Sequence, residues 1–244
     1  MQDFRNNLYQ SYVSKFKQPE NSLRDAKEQG DWQYFDRKHF KFLQKLNHDD
    51  AILDVGCGSG MLMAYLVAKG FRRVEGVDIS AEQIELAVAK NLKAQCVDVF
   101  SFLESKRGAF QAIVAIDFVE HFKKDELLRL FSLLFRALKA DGTLLIQTPN
   151  GQGLLSSQVI YGDLTHCTIF TPESLRQALR PNGFEDIIFE ETGPVSKNLK
   201  GLLRLVLWRG IRLAGNFVRL IEAGKRQDVW TENFICVCRK HDKG

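Results

Sequence analysis

A glycine-rich turn behind a short apolar run constrains the fold of this chain more than any other feature. The run Ala51–Val55 leads directly into Gly-Cys-Gly-Ser-Gly at 56–60. Apolar runs of this length are typical of strands buried in a parallel sheet. The pattern predicts a strand, a turn and a helix at the carboxyl edge of an open α/β sheet, where backbone N–H groups bind ligands. A tight turn without a ligand would satisfy the same short pattern.

Alternating strand-like and helix-like segments continue along the chain. We predict seven strands, at Ala51–Val55, Arg73–Val77, Ala94–Val97, Ala112–Ile116, Thr143–Gln147, Phe184–Glu191 and Asn233–Arg239. Helices are predicted between them at Gly60–Lys69, Ala81–Asn91 and Asp125–Ala140, the last one stopped by Asp141-Gly142. This order indicates an α/β fold with right-handed crossovers and helices on both faces of one sheet.

Two further segments lie outside this alternation. Residues 1–40 are predicted to form an N-terminal helical cap, and 41–244 to form the main domain. Apolar residues recur at helical spacing within the cap, at Phe4, Leu8, Tyr12 and Phe16. The connection 192–232, between strands six and seven, is too long for a simple loop, and we expect it to be a helical insertion.

Composition excludes several classes of protein. With 45% hydrophobic and 26% charged residues in 244, the chain is typical of a globular protein. Its five cysteines form no C-x-x-C pair, which favours reduced thiols in the cytoplasm and predicts neither disulfides nor a metal site. The N-terminus lacks the apolar core of a signal peptide, and no window has the roughly 18 apolar residues of a membrane span.

Two acids after later strands extend the ligand site. Asp78 follows the second predicted strand, where a carboxylate can accept hydrogen bonds from both ribose hydroxyls of an adenosine. Asp98 follows the third strand, where it can face an adenine amino group. The third glycine of G-x-G-x-x-G is missing, which disfavours NAD, and no P-loop supports nucleoside triphosphate hydrolysis.

Several motifs in order resemble those of class I S-adenosylmethionine-dependent methyltransferases. The motifs are Leu53–Gly60, Gly76–Ser80, Asp98, Asp117–His121 and Leu138–Gly142. The resemblance covers roughly residues 30–190. It implies a Rossmann-like sheet of seven strands, mostly parallel, whose last strand is antiparallel, and it implies S-adenosylmethionine as the cofactor.

The resemblance also implies roles for individual residues. Asp54 and the glycines would hold the methionine part of the cofactor, Asp78 its ribose and Asp98 its adenine amino group, while Ile79 and Val99 would sandwich the adenine. The cofactor residues implied are Asp54, Gly56, Cys57, Gly58, Gly60, Asp78, Ile79, Asp98, Val99 and Asp117.

A later stretch narrows the resemblance. Tyr161–His166, Phe170–Leu175 and Pro181–Phe184 are similar to a bacterial subgroup associated with polysaccharide or lipopolysaccharide assembly. They are more loosely similar to the ubiquinone O-methyltransferases. The acceptor implied is a sugar, a glycolipid or a lipid-linked small molecule, methylated on oxygen.

Methyl transfer from a sulfonium to a hydroxyl is an in-line displacement, and a base near neutral pKa assists it by removing the proton. His121 and His166 follow predicted strands four and five, and either is a candidate for that base. Glu120 and Asp117 are candidates for orienting the acceptor or His121, and Asp163, three residues before His166, is a candidate for orienting that histidine. Structural hydrogen bonds, helix capping and turn formation are the competing interpretations.

The segment 197–226 is strongly basic and amphipathic. It carries eight cations and one acid, a net charge of +7. Apolar residues share one side of the helical projection, at Leu199, Leu202, Leu203, Val206, Leu213, Phe217, Leu220 and Ile221. The segment is predicted to contact an anionic membrane surface, to dock a partner or to cap the active site. Nucleic acid is not expected, because Trp208 and Phe217 are too few for base stacking.

The sequence therefore predicts an O-directed methyltransferase acting on a small-molecule or glycan acceptor. Its expected location is the cytoplasm, at the inner face of the membrane if 197–226 binds lipid. The alternative is a non-catalytic protein that binds an adenosyl ligand and regulates a partner.

Overall fold

A computed structural model describes residues 32–196 and 198–241 of the chain. The apolar pattern predicted for the N-terminal cap, including Tyr12, lies outside the described residues. Residues 32–38 are helical and lead into a short helix at Phe40–Leu43. Phe35 and Leu43 of this helical segment are buried in one of the apolar cores.

One seven-stranded sheet forms the centre of the described residues, in the order β3-β2-β1-β4-β5-β7-β6. Its strands are β1 Ala51–Val55, β2 Arg73–Asp78, β3 Lys93–Cys96, β4 Phe110–Ile116, β5 Leu138–Pro149, β6 Phe184–Glu191 and β7 Asn233–Lys240. Strands β1 to β5 pair in parallel, and β7 runs antiparallel to both of its neighbours, β5 and β6. The predicted Rossmann-like fold with an antiparallel last strand is confirmed.

Helices connect the strands. They are α1 Phe40–Leu43, α2 Met61–Ala68, α3 Ala81–Ala89, α4 Val99–Glu104, α5 Lys124–Ala137, α6 Ser157–Tyr161, α7 Pro172–Leu179 and α8 Leu199–Ala223. Single 3-10 turns occupy Val119–His121 and Arg180–Asn182.

Two apolar cores cover the two faces of the sheet. Successive strand residues point to opposite faces, so Leu53 and Ile113 enter one core while Ile52 and Val114 enter the other. The first core is closed by α4, α5 and α7, and the second by α1, α2 and α3. The strands buried on both faces are the continuous apolar runs of the sequence, as expected for a parallel sheet.

The predicted helix Asp125–Ala140 is too long. Helix α5 ends at Ala137, because Leu138 is already extended and pairs with Phe110 of β4. The next pair in that ladder joins Ala112 to Thr143, so residues 139–142 form a bulge within β5. The Asp-Gly pair predicted to stop the helix shapes this bulge instead, with a left-handed φ of 57° at Asp141.

Helix α8 presents its apolar stripe to solvent. The eight stripe residues are all exposed, from 41% at Leu220 to 83% at Leu199. The opposite side of the helix meets the domain: Trp208 and Arg212 bond to Glu191, and Gly215 lies against the ring of Trp230. None of the helices formed by the described residues combines the length and hydrophobicity needed to cross a bilayer.

Candidate active site

The glycine turn lies where β1 gives way to α2. Gly56, Gly58 and Gly60 all have left-handed φ, between 52° and 75°. A side chain at Gly56 would also collide with the ring of Phe118, since its Cβ would lie 2.4 Å from a ring carbon. Phe118 belongs to the segment that follows β4, so the turn and the strand-four edge pack directly against each other.

Asp78 at the end of β2 holds this turn in place. Its Oδ2 accepts a hydrogen bond from the Gly58 N–H at 3.0 Å, and its Oδ1 accepts one from the Ser80 N–H at 2.8 Å. Asp54 is buried beneath the turn, and burial together with the charge of Asp78 raises its pKa to about 8. Cys57 is buried too, and burial raises the pKa of its thiol.

The residues that the resemblance assigns to adenine binding differ in their exposure. Ile79 is 38% exposed beside the turn, but the side chain of Val99 is only 4% exposed and packs into the first core. Asp98 caps α4, because its Oδ1 accepts a hydrogen bond from the Ser101 N–H at 3.0 Å.

Glu120, His121 and His166 lie together at the carboxyl ends of β4 and β5. One ring nitrogen from each histidine and one carboxylate oxygen lie within 4.8 Å of one another. The two imidazole rings are 5.0 Å apart, and His166 Nε2 is 4.0 Å from Glu120 Oε1. The structure thus brings together three of the four residues predicted to be catalytic.

The hydrogen bond that His166 makes determines its tautomer. Its Nδ1 is 2.9 Å from the backbone oxygen of Ile160. A carbonyl oxygen only accepts, so Nδ1 carries the hydrogen and, in the neutral ring, Nε2 keeps its lone pair. That lone pair lies on the side of the ring that faces Glu120.

Glu120 is fully buried beneath the histidines. Its Oε2 accepts a hydrogen bond from Thr148 Oγ1 at 3.0 Å, whereas Oε1 has no hydrogen-bond partner among residues 32–196 and 198–241. Burial, with the charge of Asp117 adding to it, raises the pKa of Glu120 to about 8. A buried carboxyl oxygen without a partner is costly in either protonation state, so it marks a position where something else can bind.

Asp163, the fourth residue predicted to be catalytic, is linked through Thr165 to His121, whereas its spacing predicted His166 as the partner. Its Oδ1 accepts hydrogen bonds from the N–H of Thr165 and, at 2.6 Å, from its hydroxyl. The same hydroxyl lies 2.9 Å from His121 Nδ1. Burial alone would raise the pKa of Asp163, but these hydrogen bonds and the nearby histidines lower it. Burial and the neighbouring His166 lower the pKa of His121 to about 4.

A second hydrogen-bond network contains residues that the sequence pattern did not indicate. Gln147 Nε2 donates to Asp117 Oδ1 at 3.2 Å, and Gln147 Oε1 accepts from Tyr34 and from His39. Asp117 follows β4 and has a left-handed φ of 49°. The residue as a whole is exposed, but its carboxyl group is partly buried, and this burial raises its pKa. The position of Gln147 at the end of a predicted strand was the available signal, but its partners at 34 and 39 precede the sheet.

Two further polar side chains, Arg37 and Asn150, stabilise loops. Arg37 bonds to the backbone oxygen of Ser196, so it braces the chain after β6. Asn150 is buried, and its side chain donates to the backbone oxygen of Thr231 at 2.9 Å. These contacts are structural.

A cavity of about 710 Å³ opens beside this network. Tyr34 lines it, and the cavity walls otherwise come from α8, from the loop after β6 and from the segments around Leu154 and Trp230. Its apolar contributors include Leu155, Trp208 and Trp230, and Lys200 and Arg204 add two cations. A volume of this size accommodates a drug-sized molecule.

Comparisons with known proteins identify one family for this chain. Residues 24–188 match a family model described as a methyltransferase domain. Over 164 residues the chain is 30% identical to the mitochondrial ubiquinone biosynthesis O-methyltransferase of Rattus norvegicus, covering 56% of this chain and 47% of the rat protein. The chain therefore matches about half the length of that relative.

Solved structures share the fold. A SAM-dependent methyltransferase from Archaeoglobus fulgidus superimposes with a TM-score of 0.68 at 21% identity, covering 94% of this chain and 98% of that one. Phosphoethanolamine N-methyltransferase 2 of Haemonchus contortus, in complex with S-adenosyl-L-methionine, gives 0.63 at 18% identity, covering 96% and 60%. At these identities the similarity establishes the fold.

Proposed function

This chain belongs to the methyltransferase domain family, and from that membership we propose that it transfers a methyl group from S-adenosylmethionine to a hydroxyl of a lipid-linked small molecule. The observation that carries the proposal is the juxtaposition of the glycine turn with the Glu120–His121–His166 cluster through Phe118. A cofactor on the turn would direct its methyl group toward this cluster.

The glycine turn and the neighbouring acids support the cofactor assignment. Gly58 and Asp78 are already bonded to each other, so the turn is held in shape before a ligand binds. Each carboxylate oxygen can accept more than one hydrogen bond, so ribose hydroxyls would donate to Asp78 in addition to the backbone N–H groups. The Haemonchus enzyme, a protein of the same fold, binds S-adenosyl-L-methionine in its solved structure.

Transfer to a hydroxyl needs alignment and removal of one proton. The acceptor oxygen forms a bond to the methyl carbon while the carbon–sulfur bond breaks, which leaves S-adenosylhomocysteine. The hydroxyl proton passes to the Glu120–His121–His166 cluster, where His166 Nε2 offers a lone pair. Asp163 and Thr165 position His121 in the same cluster.

The cavity beside Tyr34 supports an acceptor with a large apolar part. Tyr34 Oη is 3.1 Å from Gln147, which bonds to Asp117, so two side chains separate the cavity from the strand-four edge. Trp208 and Trp230 line the cavity with apolar surface. The rat relative acts in ubiquinone biosynthesis, which favours a polyprenyl phenol over the other candidate, a glycolipid.

We infer that α8 brings the enzyme to an anionic membrane surface. Its leucine-rich stripe faces solvent, and Lys200, Arg204 and Arg209 are exposed on its flanks. Helices with this composition lie in the interface with the apolar side buried among lipid headgroups. The cavity is lined by the first turns of α8, so a lipid-linked acceptor would enter from that surface.

Methyl transfer from labelled S-adenosylmethionine tests the proposal. Polyprenyl phenols, lipid-linked sugars and free sugars are offered as acceptors, in the presence of vesicles. Label in a phenol or sugar hydroxyl supports the proposal. A protein that binds S-adenosylhomocysteine but labels no acceptor would be the non-catalytic alternative.

A further inference from the structure

The cluster at Glu120, His121 and His166 combines two imidazoles and one carboxylate around a single point. Glu120 has no exposed surface, and its Oε1 lacks a hydrogen-bond partner among the residues that the structure describes. Oε1 faces His166 Nε2 across 4.0 Å, which is too long for a hydrogen bond. A gap of this kind between two electron-pair donors has room for an electrophile.

The geometry points to a binding site for one divalent transition-metal ion, held by Glu120, His121 and His166. Two histidines and one carboxylate form a donor set used by catalytic zinc sites. Imidazole nitrogen favours zinc and its first-row neighbours, whereas calcium and magnesium prefer oxygen ligands. The site proposed here is one that the cysteine pattern of the sequence did not predict.

The distances fit such an ion with small adjustments. Ligand atoms about 2.0–2.1 Å from a tetrahedral zinc ion are about 3.3 Å from each other. The present separations, 4.0 Å between His166 and Glu120 and at most 4.8 Å within the group, need to shorten by roughly 1 Å. Glu120 and His121 are neighbours in one 3-10 turn, so two of the three ligands are already placed by local backbone.

Supporting contacts hold the ligands in the orientation that an ion requires. Metal-bound histidines usually donate their other ring hydrogen to a carbonyl or carboxylate. His166 does so to the Ile160 carbonyl at 2.9 Å, which leaves Nε2 for the ion. Thr148 donates to Oε2 of Glu120, so the carboxylate plane is fixed with Oε1 toward the histidines.

Three protein ligands leave a coordination position open. If the proposed function holds, the acceptor hydroxyl would bind there, because a bound cation lowers the pKa of a coordinated hydroxyl. Its proton would then be lost to water, since the ion would occupy the lone pair of His166 Nε2 that accepts the proton in the absence of metal. Metal binding itself does not depend on that role. The two statements are therefore tested separately.

Titration with zinc chloride tests the site. Protein stripped with chelator and dialysed is titrated in a calorimeter. Wild type is expected to bind one equivalent, and Glu120→Gln and His166→Gln are expected to bind at least 100-fold more weakly. His241→Gln is the matched control, because His241 is an exposed histidine that lies 2.8 Å from Asp186 and would attract zinc adventitiously. Absence of stoichiometric binding, or equal binding by the cluster variants, overturns the site.

Anomalous diffraction at the zinc edge provides a second readout that survives a poorly folded variant. A peak among the three side chains supports the site, and a peak only at His241 or the thiols overturns it. Methyl transfer by the stripped enzyme separates the role from the site. Full turnover without metal leaves the proposed function standing and overturns the role of the ion in activating the acceptor.

Discussion

Nε2 of His166 lies 4.0 Å from Oε1 of Glu120, a completely buried carboxyl oxygen without a hydrogen-bond partner among the described residues. The two groups come from segments that follow different strands, β4 and β5. Their proximity marks the position of the reactive groups in the candidate active site.

Replacing His166 by Gln is expected to lower kcat by roughly 10²–10⁴-fold, the usual contribution of a group that moves a proton in the transition state. Affinity for S-adenosylhomocysteine is expected to stay within a few-fold of wild type, because His166 lies outside the glycine turn. Steady-state kinetics and calorimetry measure the two effects, with His241→Gln as control. Unchanged kcat in the His166 variant would remove this residue from the chemistry.

Replacing Asp78 by Asn is expected to weaken binding of S-adenosylhomocysteine by about 1.5–3 kcal/mol, since one charged acceptor for the ribose hydroxyls is lost. The variant also loses one acceptor for the Gly58 N–H or the Ser80 N–H. Calorimetry with the folded variant measures this. Glu75→Gln, also in β2 but paired with the exposed Lys93, should bind normally. Equal affinities of the two variants would contradict the assignment.

Replacing Gly56 by Ala is expected to destabilise the fold by about 1–3 kcal/mol, because the added side chain is both crowded and strained. Its Cβ would lie 2.4 Å from the ring of Phe118, and the φ of 70° is left-handed. Gly210 is the matched control because it lies within α8, where a Cβ meets nothing within 4 Å. Gly210→Ala should stabilise by about 0.5–1 kcal/mol. Urea denaturation distinguishes the two, and a neutral Gly56→Ala would show that the turn rearranges freely.

Wild-type protein is expected to become less stable as the pH decreases, because His39 gains a proton on unfolding. Burial, reinforced by Lys38 and Lys41 and opposed by the bond to Gln147, lowers the pKa of His39 to about 4. The unfolded chain binds the proton at about 6.5, so the unfolded state holds more protons between these values and stability drops as pH decreases through that range. The contribution lost between pH 7 and pH 5 is about 2 kcal/mol.

Urea denaturation of wild type and His39→Gln at both pH values isolates this effect, because other groups titrate equally in the two proteins. The stability difference between them should shift by about 2 kcal/mol in favour of the variant at pH 5. His48→Gln, at an exposed position, should follow wild type. A difference that stays constant with pH would place the titration elsewhere.

Replacing Lys200, Arg204 and Arg209 together by Gln is expected to release the protein from anionic vesicles. Each cation near such a surface contributes about 1 kcal/mol, and salt screens it. Arg212 is left in place, since it pairs with Glu191 and holds α8 on the domain. The control replaces Lys45, Arg107 and Lys124, three exposed cations outside α8, and changes net charge equally.

Vesicle sedimentation at low salt measures this binding. Wild type and the control should sediment with anionic vesicles and remain in the supernatant with neutral ones. Wild type that stays in solution with both, while forming a dimer by light scattering, would show that the apolar stripe of α8 pairs with a second copy.

The local sequence pattern was sufficient to predict most helices and strands and the glycine turn. The turn at 56–60 needs glycines in left-handed conformation wherever it occurs, so a short sequence predicts both its shape and its place after a strand. The strand Phe184–Glu191 and the helical nature of 199–223 follow from periodicity in the same way. The end of α5 does not follow from periodicity, because Leu138 pairs with Phe110 of the neighbouring strand and does not continue the helix.

Tertiary structure alone decided which side chains meet. Gln147 bonds to His39 across 108 positions, and Thr165 to His121 across 44, and no local pattern encodes such distances. Periodicity likewise identifies an apolar stripe on α8 but does not say whether it faces the domain or solvent. Residues such as Trp208, Arg212 and Gly215 decided that, because their contacts with Glu191 and Trp230 attach the opposite side of the helix to the sheet and leave the leucines outside.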